Sequence, residues 1–172
     1  VEADSLKPSA LSYQRAVFHF HRANQMGIHI SDVYTNNVDT LLYKDNDIVC
    51  HGVTINNVKM NEFTKPFDIR YVEGVGHSRG WTISNMYVVS KTSIKRAVGR
   101  IEGVHDLTLS DYHASVEGKA THDPVVFDRA VSGWNVRNTR LRGIYHKHQL
   151  ENIFQYLSSE TDKAKLMPQV ET

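Results

Sequence analysis

Apolar and polar positions alternate with period two from Trp81 to Val89, which predicts a strand with Trp81, Ile83, Asn85, Tyr87 and Val89 on one side and Thr82, Ser84, Met86 and Val88 on the other. The same alternation runs from Ile48 to Ile55, setting Val49, His51, Val53 and Ile55 against Ile48, Cys50, Gly52 and Thr54. A third strand is expected from Ile94 to Leu107. Its charged set, Arg100, Glu102 and Asp106, suits water and so turns His105 inward. Helical spacing is read over Ser9 to Met26, where Tyr13, Val17, Phe20, His21 and Asn24 share a face, Pro8 sits at the start and Gly27 at the end. A second helix is expected within His29 to Lys44, capped by Ser31 or Asp32 and burying Val38, Leu41 and Leu42. A brief third helix fits Asn56 to Pro66, followed by extended Phe67 to Tyr71 and, further on, an irregular strand over Asp111 to Lys119. Gln149 to Glu160 predicts an amphipathic helix with Leu150, Ile153, Phe154 and Leu157 on one stripe, ahead of a loose polar tail. No internal repeat is read in the chain.

The most informative stretch by pattern is Asp123 to Arg142. Asp123-Pro124 favours extended backbone, Val125 and Val126 lead through Phe127 to a turn signal at Ala130-Val131-Ser132-Gly133, and Trp134 and Val136 open a second β-rich run. The expectation is two antiparallel strands joined by a tight connection.

Phe127-Asp128-Arg129, Gly133-Trp134, Val136 and Arg140-Leu141-Arg142 together resemble the closing hairpin of the nuclear transport factor 2-like superfamily, nearest its polyketide cyclase, scytalone dehydratase and bile-acid dehydratase branch. That resemblance implies an α+β fold: a strongly curved antiparallel sheet forming a cone-shaped half-barrel, closed by N-terminal helices around an apolar pocket, here with an extra C-terminal helix. It implies one domain over residues 1–172, with a core of about 9–145 and a helix and tail over 146–172. It also implies catalytic histidines, carried here by His77 and His105, and a substrate-binding set of Tyr13, Phe20, His21, Asn24, Tyr87 and Trp134. The first helix lacks the acid that the branch places there, with Asn24 near that position.

Composition narrows the classes. The 172 residues are 40% hydrophobic and 23% charged, values of a globular chain. Twenty basic against nineteen acidic side chains leave a formal charge of +1, so no overall field draws the protein to nucleic acid or to a membrane surface. Cys50 alone forms no intrachain disulfide and no thiolate cluster for zinc; neither metal nor cofactor is expected, and a cytoplasmic location is. The chain begins at Val1 rather than Met, which reads as a trimmed start.

Two functions of different class remain open. In the first, a histidine base removes a proton next to a carbonyl while a second histidine or a tyrosine hydroxyl stabilises the enolate, giving a cofactor-independent lyase, isomerase or cyclase for a small hydrophobic carbonyl or polyol. In the second, the fold is a non-catalytic ligand-binding or assembly module. A homodimer is expected through a convex face bearing Trp81, Ile83, Tyr87, Trp134 and Val136. His19-Phe20-His21 as a metal motif, Asp111 with Glu117-Gly118-Lys119 as a nuclease core, and Arg137, Arg140, Arg142 with His146, Lys147 and His148 as an anion patch are weaker alternatives.

Overall fold

A computed structural model describes residues 2–4, 16–91, 96–119, 124–127 and 132–144. Every described strand pairing is parallel, and no described residue is helical. The strands are β1 (Glu2–Asp4), β2 (Ala16–Phe20), β3 (Gln25–Met26), β4 (His29–Val38), β5 (Thr40–Lys44), β6 (Cys50–His51), β7 (Thr54–Phe63) and β8 (Phe67–Ile69). They continue as β9 (Ser78–Ser90), β10 (Gly99–Ile101), β11 (Val104–Lys119), β12 (Val125–Phe127), β13 (Asn135–Arg137) and β14 (Arg140–Ile144). One sheet stacks β1, β4, β7, β9, β11 and β13 in order, with β14 also on β11; a second stacks β2, β5, β8, β10 and β12. The chain thus passes from one sheet to the other and back, laying each coil on the last as a parallel β-solenoid.

The register exposes the repeat. His29, Thr54, Thr82, Thr108 and Asn135 are successive partners in one column, 25, 28, 26 and 27 residues apart. Two columns of left-handed residues bracket that position in each coil. Gly27, Gly52, Gly80, Asp106 and Gly133 form the first, and Asp32, Asn57, Asn85, Asp111 and Asn138, five residues on, the second. Asn and Asp tolerate positive φ better than other side-chain-bearing residues, so their column bends each long strand into two flat faces. Gly133 has a further reason to lack a side chain, because a Cβ there would run into the Asp106 carboxylate.

Between the corners apolar residues point inward at alternate positions. Ile30, Val53, Ile55, Trp81, Ile83, Leu107, Leu109, Trp134 and Val136 fill one side, and Val33, Val58, Met60, Met86, Val88, Tyr112, Ala114 and Leu141 the next. Leu42, Phe67, Ile69 and Ile101 come in from the second sheet. Trp81 and Trp134 repeat one device: each indole Nε1 donates to a backbone oxygen of the preceding coil, Cys50 O and Val104 O, both at 2.7 Å. Large buried side chains of this kind contribute about 2–3 kcal/mol each by burial.

This architecture overturns the cone. Residues 16–26, expected as the end of a helix, are β2 and β3; Tyr13 and the remainder of that segment lie outside the described residues. Ala16 to Phe20 pairs with Thr40 to Lys44, and that ladder overrides the helical spacing seen in isolation. The segment expected to hold the second helix is β4 and β5, the third falls on β7, and the expected cap Asp32 is a corner residue with φ 56°. The closing hairpin is not one: Val125–Phe127 lies on β10 and Asn135–Arg137 on β11, in different sheets and both parallel. The expected C-terminal helix lies outside the described residues. Among the described residues no helix is long and apolar enough to cross a membrane.

Candidate binding face

Two residues beyond each Asn or Asp corner, one side chain per coil points out of the sheet. Tyr34, Lys59, Tyr87, His113 and Arg140 are successive register partners, so they form one straight column from β4 to β14. Neighbouring rungs of a sheet stand about 4.8 Å apart, which puts the two tyrosines about 9.6 Å from each other with Lys59 between them. Tyr34 is 42% and Tyr87 50% exposed, uncommon for large aromatics in this molecule. Lys59 and Arg140 are also exposed. The Tyr34 hydroxyl accepts from Asn61 Nδ2 at 3.0 Å, a bond that leans the ring along the face toward the second coil.

The adjacent outward column holds Asn36, Asn61, Val89, Ser115 and Arg142. In register, β1 sets Glu2 beside Tyr34 at the head of the first column and Asp4 beside Asn36 at the head of the second. From β4 onward, three described carboxylates stand at the margins of the face, where hydrogen bonds hold them. Asp32 Oδ1 accepts from Asn57 Nδ2 at 2.6 Å, Asp111 accepts from Asn138, and Glu62 accepts from Ser90 Oγ and the Lys91 amide, both at 2.9 Å. The Asn57 bond, followed by one from Ser31, holds the Asp32 carboxyl below the usual carboxylate range. His113 is half-buried between Tyr87 and Arg140, and its Nε2 is enclosed without a protein partner.

The outer side of the second sheet is also polar but closes on itself. Asp68, fully buried, takes Lys65 Nζ at 2.6 Å and a bidentate grip from Arg70, with Nη2 at 3.1 Å and Nε at 3.2 Å; Arg100 Nε lies 3.9 Å away. Burial alone would raise the Asp68 carboxyl, but the Arg70 and Lys65 hydrogen bonds outweigh it and hold the group below its ordinary range. Arg70 also lies 4.9 Å over the Tyr43 ring. In the solenoid interior, Lys44 donates to Asp45 O and Arg70 O, both at 2.9 Å, and burial lowers its pKa. Burial likewise pushes the Cys50 thiol up to about 11, well away from nucleophilic use.

The residues expected to form a pocket are scattered. Phe20 is in the core, and His21 stacks on His19 at 4.5 Å while His19 meets Asp45 at 3.1 Å. Asn24 accepts from the Val49 amide at 2.9 Å. Trp134 is buried, whereas Tyr87 stands on the exposed column. Of the five residues assigned to a convex dimer face, Trp81, Ile83, Trp134 and Val136 are core, leaving only Tyr87 outside. His77 and His105 are neighbours, 4.6 Å between ring centroids in a T-shaped contact, with Tyr71 stacked on His77 at 4.5 Å. His105 faces out rather than in, because the expected strand breaks at Gly103 into β10 and β11 and the parity shifts there. Its Nδ1 accepts from the Ser132 amide at 3.1 Å, which puts the proton of the neutral ring on Nε2.

Sequence reasoning passed over Lys59 and His113, and read Arg140 only within the closing hairpin and a basic run. The signal that finds them is positional: each stands two residues after an Asn or Asp of the repeating corner. Among the described residues no three His, Cys, Asp or Glu side chains converge as metal ligands. No family model, curated protein or solved structure matches the chain.

Proposed function

We propose that the protein is a non-catalytic binding module that holds an extended acidic glycan along the Tyr34, Lys59, Tyr87, His113 and Arg140 column. The observation that carries this reading is Lys59 standing between the exposed rings of Tyr34 and Tyr87 in one register column, with half-buried His113 and exposed Arg140 on the next two rungs. An aromatic ring offers a flat apolar platform to the C–H face of a sugar, and a cation beside it pairs with a carboxylate or sulfate. A linear polymer laid along the solenoid meets a new rung at each step, so weak individual contacts sum. The test is calorimetric titration with a uronate-containing polysaccharide against Lys59→Ala and Tyr87→Ala. Each substitution is expected to weaken binding about tenfold; unchanged affinity in both variants would sink the reading.

A second reading keeps acid and base chemistry at His77 and His105. It is favoured by the 4.6 Å contact of the two rings and by the fixed tautomer of His105, whose Nε2–H is a donor for a departing hydroxyl. Turnover of a hydroxy-carbonyl substrate that fell by about two to four orders of magnitude in His77→Ala would support it. Turnover indifferent to both histidines would remove it.

A further inference from the structure

A second outward column stands at the other corner of the coil. Met26, His51, Arg79 and His105, each one residue before a left-handed position, are register partners on successive rungs. Cys50, Ser78 and Val104, which precede the last three, are buried, so alternation turns His51, Arg79 and His105 outward. Exposed Arg79 therefore has half-buried His51 on one neighbouring rung and half-buried His105 on the other, about 4.8 Å to either side. We infer that this column is an oxyanion site, where Arg79 and the ring N–H groups of His51 and His105 take a tetrahedral phosphate or sulfate group of a ligand. The inference rests on neither reading above: the column lies at a different corner from Tyr34 and Lys59, and His105 serves as a hydrogen-bond donor rather than as an acid.

Three observations support it. First, the charge of Arg79 is unpaired. Among the described residues no hydrogen bond or ion pair holds its guanidinium, whereas Arg70 and Arg100 both lie against Asp68. The carboxylate nearest in sequence to the column, that of Asp106, lies against Gly133 of the following coil, on the far side from Arg79.

Second, His105 is held as a donor. Its Nδ1 accepts from the Ser132 amide at 3.1 Å, so Nε2 carries a proton without the ring being charged. His77 packs against that ring at 4.6 Å, and Tyr71 stacks on His77 at 4.5 Å. Gly103 makes room for the stack, since a Cβ there would stand 2.6 Å from the Tyr71 ring. His77 and Tyr71 are thus positioning residues.

Third, the donor set selects the ligand. The guanidinium alone satisfies a planar carboxylate with two parallel N–H bonds, but a tetrahedral oxyanion has further oxygens for His51 and His105. Those two histidines stand two rungs apart, about 9.6 Å, a gap largely filled by one such anion with a hydrogen bond of about 2.8 Å on each side. A metal ion is disfavoured among these imidazoles because Arg79 sets a fixed cation between them.

The experiment is calorimetry with inorganic phosphate, inorganic sulfate and acetate at one ionic strength. Phosphate or sulfate is expected to bind about tenfold more tightly than acetate. Arg79→Gln should abolish binding, and Arg79→Lys should weaken it about tenfold, because an ammonium lacks the planar fork. His105→Phe keeps a ring against His77 and removes the donor; it should weaken phosphate and sulfate about three- to tenfold and leave acetate unchanged. Unfolding midpoints equal to that of the parent establish that each variant is folded. A preference for phosphate assigns a phosphate ester as the ligand, and a preference for sulfate a sulfate ester. Binding that survives Arg79→Gln, acetate matching both oxyanions, or a parent that none of the three saturates would overturn the inference. Turnover does not enter the readout, so the result stands apart from the fate of the acid and base reading.

Discussion

The outer sides of the two sheets draw on the same residue types and arrange them to opposite effect. On the second sheet, Asp68 is enclosed by Lys65 and Arg70 from its own coil and by Arg100 from the neighbouring rung, so the groups satisfy one another. On the exposed column, Lys59 stands between two tyrosines, and Asp32, Asp111 and Glu62 are held at the margins by Asn57, Asn138 and Ser90. A ladder that pairs its own charges is a structural seam. A ladder that pairs charge with ring leaves recognition chemistry facing outward. In a solenoid the difference is set by which side chain occupies one position per coil, since the backbone repeats regardless.

Substitutions can separate the two sides. The largest stability effect is expected at Asp68: Asp68→Ala strips the common partner from three cations and should cost about 3–5 kcal/mol in urea unfolding, with glycan affinity unchanged. Because the folded Asp68 pKa lies below its unfolded value, its contribution is present above the ordinary carboxylate pKa and lost as pH falls through the folded one. The isosteric Asp68→Asn should therefore flatten the acid limb of the stability profile. Next comes the corner: Asn85→Val forces a β-branched residue to φ near 51° and should cost about 1–2 kcal/mol. Lys44 behaves in the reverse sense on the alkaline side. Burial lowers its folded pKa, so the unfolded chain holds more protons and stability climbs with pH between the folded pKa and 10.5; Lys44→Met should abolish that climb. Smallest in stability are Lys59→Ala and Tyr87→Ala, each within about 0.5 kcal/mol of the parent while weakening glycan binding, as expected of exposed positions away from the core.

The strand at Trp81 to Val89 was legible because β9 carries it whatever its neighbours do, but its faces were not, since the corner at Asn85 breaks the period and turns Tyr87 out while Trp81, Ile83, Met86 and Val88 point in. What failed was pairing direction, since Val125 to Phe127 and Asn135 to Arg137 look like a hairpin until each finds a parallel partner a full coil away. The described part of the expected first helix, from Ala16 on, failed for a related reason: His-, Phe- and Val-rich segments satisfy helical and extended patterns alike, and the deciding ladder is non-local. The repeat itself was present in Gly52-Val-Thr-Ile-Asn-Asn57 and Gly80-Trp-Thr-Ile-Ser-Asn85. Coil lengths that vary between 25 and 28 residues hide it from a search at fixed period. The proximity of His77 and His105 could not be read from residue spacing, because it depends on one coil lying on the next.

The most direct test of the exposed column as the binding face is a map of amide and side-chain resonances on titration with a uronate-containing polysaccharide. The predicted result is a set of perturbations running along Tyr34, Lys59, Tyr87, His113 and Arg140, with Asp68, Arg70 and Arg100 silent. Perturbations centred on the Asp68 network, or on His77 and His105, would contradict it.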